Sequence, residues 1–149
     1  MACGQDCSAR DAAVAEAEAV LADAQAAEQE AQQALDSINE TLKDAEAKEA
    51  KRQEMSQKCK ETREQIEAIG NTVKAPANWE EFKDCEKCIN ETYADALADF
   101  ITQAKSEKEA CEQALRDATA AREAAETALS QAQAIPCVDI PCEDTSGKY

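Results

Sequence analysis

Cysteine is the side chain of this sequence most able to do chemistry. There are eight cysteines and no histidine. The missing histidine excludes His-based triads, His-containing metal sites and His pH switches. An even cysteine count in a small acidic chain reads as a disulfide framework in an oxidising compartment. The positions support that reading. About a central break, Gly70 to Ala77, Cys3 mirrors Cys142, Cys7 mirrors Cys137 and Cys59 mirrors Cys85. The first two pairs could be exchanged (Cys3–Cys137 and Cys7–Cys142), and Cys59–Cys88 lies one helical turn out of register. Closing a loop of about 130 residues constrains the unfolded chain by roughly 4–5 kcal/mol in the chain-entropy model. Cys88 and Cys111 stand outside the mirror. They could be free, joined internally by a helix break, or joined between two chains.

Other chemistries fit the residues less well. Cys85-Glu86-Lys87-Cys88 has CxxC spacing and Cys3 with Cys7 has CxxxC spacing. Structural zinc pairs two such knuckles on turns, and a cysteine-lined bundle could hold Cu(I). A thiol-rich metal-binding protein is therefore one alternative, although one knuckle falls in an expected helix. A thioredoxin-type use of CxxC would need a βαβ context. No phosphate loop, nucleophile elbow or positioned base is present. Glu80 and Glu81 read as helix-start acids favoured by the macrodipole. The expectation is no enzyme, no cofactor and no metal. Asn39-Glu40-Thr41 and Asn90-Glu91-Thr92 are glycosylation sequons. Ala2-Cys3-Gly4 resembles the cleavage junction of a bacterial lipoprotein, which would imply a lipid on Cys3 and remove it from the disulfide ladder.

The elements that must position these residues follow from composition. The 149 residues include 33 Ala but only 3 Gly, 3 Pro and 3% aromatics, the profile of long helices or coiled coil. A hydrophobic fraction made largely of Ala builds a thin seam, not a thick core. The net charge of −16 argues against nucleic acid and against anionic membranes. No apolar run is long enough for a transmembrane helix. Met1-Ala2-Cys3 reads as a mature start after signal removal, with an added Met.

From Ser8, an N-cap candidate with Asp11 three residues on, to Ile69 there is neither Gly nor Pro. Ala17, Val20, Ala24, Ala27, Ala31, Ala34, Ile38, Leu42, Ala45, Met55, Cys59, Ile66 and Ile69 recur at spacings of three and four. Val14, Leu21 and Leu35 widen this stripe. A helix of this length would span about 90 Å. Lys48 and Arg52 interrupt it, and Gly70 stands where a C-cap glycine belongs. A second helical stretch starts after Asn78 and holds the aromatic cluster from Trp79 to Ile101. Asn90 could cap a new helix there. Two columns then repeat every seven residues. One is Ala104, Cys111, Ala118, Ala125 and Ala132. The other is Phe100, Ala114, Ala121, Ala128 and Ile135, with Glu107 interrupting. Pro136 stops the helix near Ala134. Pro136 to Cys142 reads as extended, and Glu143 to Tyr149 as a tail.

The expected fold is all-α: a long antiparallel helical hairpin with an Ala-rich seam, with a break near residue 90 as an option, stapled by disulfides at both ends. It is a single domain: helix about 8–69, loop 70–77, helix or helices about 78–134, tail 135–149. The expected function is that of a secreted, non-enzymatic structural or interaction protein: a rod, spacer, surface-coat or matrix component. It would work through a protein partner or self-association, with a homodimer as one form. The alternative is a module for a small apolar ligand or lipid, with Trp79, Phe82, Tyr93 and Phe100 lining the site.

Overall fold

A computed structural model describes residues 2–70 and 74–142. The fold is all-α, an antiparallel helical hairpin. Helix α1 (Ser8–Ile69) is one uninterrupted element. The returning arm holds α2 (Trp79–Lys87), a π-helical segment (Cys88–Tyr93) and α3 (Ala94–Gln133). Strands β1 (Ala2–Asp6) and β2 (Val138–Pro141) pair antiparallel, with a register irregularity between Ala2 and Gln5. The extended reading of 136–142 anticipated β2; β1 was not foreseen. Gly4 adopts φ +155° inside that irregularity, where a side chain would be strained. The expected tail 143–149 lies outside the described residues.

The chain divides into two compact units. The first joins Met1–Ala34 to Cys111–Tyr149, and the second is Leu35–Ala110. In the first unit, Val14, Ala17, Leu21, Ala24, Glu28 and Ala31 alternate at spacings of three and four along α1 and are half-buried. The α3 residues that turn inward in this unit are Cys111, Leu115, Ala118, Arg122, Ala125, Leu129 and Ala132. Arg122 Nε donates to Glu28 Oε2 at 2.7 Å across the helix pair. Two disulfides, Cys3–Cys142 and Cys7–Cys137, join the strands and helix entries, with Cα–Cα distances of 5.0 and 4.4 Å. The ladder thus takes the mirrored pairing, not the exchanged one. Cys3 carries its sulfur bond to Cys142, which corrects the lipoprotein-like reading of Ala2-Cys3-Gly4.

The seam of the second unit runs Leu35, Ile38, Leu42, Ala45, Glu49, Arg52, Ser56, Cys59, Arg63 and Ile66 along α1. Leu42, Ala45, Ile89, Leu97 and Ala104 are its buried apolar residues. Toward the end of α1 the seam becomes polar, and ion pairs replace apolar layers. Arg63 Nε donates to Glu86 Oε1 at 3.1 Å, and Arg52 pairs with Glu49. Leu and Ala layers this thin contribute modestly, at about 25 cal/mol per Å² of apolar area.

Several expectations are corrected by this register. Val20, Met55 and Ile69 are exposed, at 52%, 49% and 53%, and Ala27 and Ala34 are exposed as well. In α3 the Ala104–Ala132 column is the seam. The Phe100–Ile135 column faces outward, and Ile101, Lys108, Leu115, Arg122 and Leu129 take its place. Alanine is small enough to fit either face, so the periodicity alone was degenerate by one residue.

Local signals were also displaced. Asp6, not Ser8, caps α1: its carboxylate accepts from the Ser8 backbone N–H at 3.0 Å and from the Ser8 hydroxyl. These bonds hold the Asp6 carboxyl below its usual pKa. Gly70 closes a tight last turn, its N–H donating to Glu67 C=O at 3.2 Å, without positive φ. Asn78 precedes α2 but makes no side-chain cap bond. The chain does not break at Asn90; it stays helical through a wider π turn.

Candidate functional site

The π segment decides what the second unit presents to solvent. Before it, Phe82, Glu86 and Ile89 face α1 at spacings of four and three. Continuing that alternation in an α-helix would bring Tyr93 and Phe100 into the seam. The segment holds one extra residue, which turns the following helix by about 100°. Ala94, Leu97, Ile101 and Ala104 therefore enter the seam, while Tyr93 and Phe100 are left 40% and 48% exposed. The wider turn is tied to α1. Arg52 Nη1 reaches the Ile89 carbonyl at 3.5 Å, and the Ser56 hydroxyl donates to Asn90 Oδ1.

Tyr93 and Phe100 line one groove of about 370 Å³ with Leu97, Thr41, Asp44, Ala45 and Lys48. Its floor is Ala45 and Leu97, both buried. The opposite flank of this unit has different chemistry: Arg63, Lys83, Glu86, Lys87, Asn90 and Glu91 line a charged groove. In the first unit, Gln25, Glu28, Gln29, Gln32, Thr119 and Arg122 line a groove that is polar except for Leu115. Each unit thus has a polar groove of its own. In the second unit, the large exposed side chains collect on the flank opposite that groove.

The four expected ligand residues do not form one cluster. Trp79 and Phe82 stack with ring centroids 5.5 Å apart, and Lys83 Nζ lies 5.9 Å from the Trp79 centroid. Trp79 lines a separate cavity of about 300 Å³ with Ile66, Ile69 and Pro76. Tyr93 and Phe100 belong to the flank groove. A single ligand box does not describe them. The groove could have been found in the sequence by one signal: the aromatic spacing fits a seam upstream of residue 90, whereas the Ala column fits one downstream of it.

The sequon residues Asn39 and Asn90 are both exposed. Cys59, Cys85, Cys88 and Cys111 are free thiols. This corrects the third rung, Cys59–Cys85, and with it the staple at the second end. Glu86 occupies the seam and pairs with Arg63, leaving its neighbour Cys85 exposed at the edge. Burial pushes the Cys59 thiol up in pKa, and the nearby Glu86 and Cys85 push it further. Cys111 sits half-buried in the Ala seam of the first unit, unbonded. The continuous helix keeps it from Cys88, so the internal-break pairing is not formed. Cys3 and Cys7, one knuckle of the metal reading, are consumed by disulfides. No group of three or more Cys, Asp or Glu side chains is placed to hold a metal among the described residues. No helix among them is long and apolar enough to cross a membrane.

No family model, no curated protein and no solved structure matches this chain.

Proposed function

We propose that this chain is a secreted, non-enzymatic structural or interaction protein that works through one flank of its helices. The observation that carries this is the outward turn of Tyr93 and Phe100 at the π segment. An aromatic side chain buries a large apolar area when covered and is over-represented at interface cores. Placing two of them outside a seam that is short of apolar material costs the monomer stability. Such an arrangement is expected where a partner covers them. Two intrachain disulfides support folding in an oxidising compartment, and an extracellular or secretory-pathway setting is part of the proposal. In that setting the exposed Asn39 and Asn90 sequons would carry glycans.

The test is site-specific photocrosslinking in the secreting cell. A benzophenone amino acid replaces Phe100 in one variant and Gln53, an exposed polar residue of α1, in another. The expected result is protein adducts from position 100 and none from position 53. Adducts from neither position, together with a lipid retained in native mass spectrometry, would overturn this reading in favour of an apolar-ligand module. That second reading is favoured by the Trp79-lined cavity, which is apolar on several sides.

A further inference from the structure

We infer that the Tyr93–Phe100 groove is covered by a second copy of this chain, forming a two-fold dimer through the second unit. The inference rests on the interaction reading above and names its partner. Local charge identifies the occupant. The whole chain carries 32 Asp and Glu against 16 Lys and Arg. Yet the α1 side of this flank bears Lys48, Lys51 and Lys58, all exposed, with Asp44 and Glu54 as nearby acids. An apolar groove beside a basic strip, on a strongly acidic protein, is complementary to another copy of that protein. The α3 side supplies a matching acid, Asp99, exposed one helical turn from Ala96 and next to Phe100.

A two-fold axis parallel to the helices satisfies both sides at once. It lays α1 of each copy over α3 of the other, with neighbouring helices antiparallel, as in a four-helix bundle. Phe100 and Tyr93 of one copy then cover the Ala45–Leu97 floor of the other. The stems of Lys48 and Lys51 lie along aromatic faces, an arrangement that attracts ammonium groups. Ala96 is small enough to let the helices approach. The interface is isologous, so each contact occurs twice.

The experiment is sedimentation velocity on the purified, bridge-intact chain with its free thiols alkylated, so that no interchain disulfide contributes. The wild type is expected to show a reversible monomer–dimer equilibrium. Phe100→Glu is expected to weaken it by about tenfold or more, the range of an interface hot spot. Lys51→Glu, which leaves the seam untouched, is expected to weaken it as well. Glu18→Gln, on the polar side of α1 in the first unit, is expected to leave it unchanged. A wild type that stays monomeric to concentrations on the order of 100 μM overturns the inference. So does a dimer indifferent to both Phe100→Glu and Lys51→Glu. A monomer that still photocrosslinks other proteins from position 100 overturns only the second copy as partner. A monomer with no crosslinks overturns the interaction reading too.

Discussion

Glu28 and Arg122 show what a single residue can and cannot announce. Both occupy seam positions in the first unit, where Ala and Leu were expected to dominate, and each makes the other tolerable there. The Arg122 hydrogen bond holds the Glu28 carboxyl below its usual pKa. A carboxylate lowered on folding contributes stability above its unfolded pKa and loses it as pH falls through the folded value. Glu28→Gln should therefore melt a few degrees below wild type at pH 7. That difference should close in acid as Glu28 itself protonates, which differential scanning calorimetry across pH 3–7 would follow. A gap that persists at the acid end would mean that Gln fails there for packing reasons. The thiols make a second residue-scale prediction. Maleimide should label Cys85 and Cys88 first, Cys111 more slowly, and Cys59 last, because Cys59 is part-buried and its pKa is raised. Intact mass should show four adducts without reduction, and two would mean that one further bridge, Cys59–Cys85 or Cys59–Cys88, is formed. Both sequon asparagines and all four cysteines of the two bridges could be read from the sequence, because such motifs are local or fixed by spacing. That Cys85 sits beside the seam instead of within it depends on which residue faces Arg63.

Among the elements, the π segment carries the most consequence. It accommodates one residue more than α1 can match, and the chain downstream takes its facing from that insertion. Deleting Glu91 should convert the segment to regular α-helix while keeping Ala94, Leu97, Ile101 and Ala104 in the seam. The expected outcome is an unchanged or higher Tm and an intact circular dichroism spectrum. Deleting Ala114 from the middle of α3 should be harmful. It rotates every later seam residue of that helix by about 100° and should lower Tm by about 10 °C or more. Equal damage from both deletions would show that the π turn has no special tolerance. The helix limits themselves were legible, because Gly70, Asn78 and Pro136 bracket long runs free of breakers. The choice between adjacent columns was not. Ala114, Ala121 and Ala128 are as compatible with a seam as Leu115, Arg122 and Leu129. Only the partner helix breaks that tie.

For the molecule as a whole, the two bridges lie one inside the other. Cys3–Cys142 spans 139 residues and encloses Cys7–Cys137, which spans 130. Either bridge alone closes nearly the same loop. With Cys3–Cys142 formed, Cys7–Cys137 closes an effective loop of only about ten residues, so replacing Cys7 and Cys137 by Ser should cost about 2–3 kcal/mol. Removing both bridges should cost about 7–8 kcal/mol, more than the two single losses together, a non-additive pair measurable by urea unfolding. Losses that simply add would locate the stabilisation in native contacts around each bridge instead of in loop closure. The sequence by itself determined the helical class, the antiparallel return at the Gly/Pro break and which four cysteines join the two chain ends; the structure chose the mirrored pairing among them. Propensity, chain breakers and cysteine spacing act over short stretches or through simple symmetry, and need no knowledge of packing. Tertiary structure decided which column of Ala-rich repeats is buried, that Glu86 instead of Cys85 meets Arg63, and that Tyr93 and Phe100 face outward. Those outcomes depend on the rotation of one helix against another. One inserted residue shifts that rotation by more than a quarter turn, and side chains as small as alanine cannot resist it.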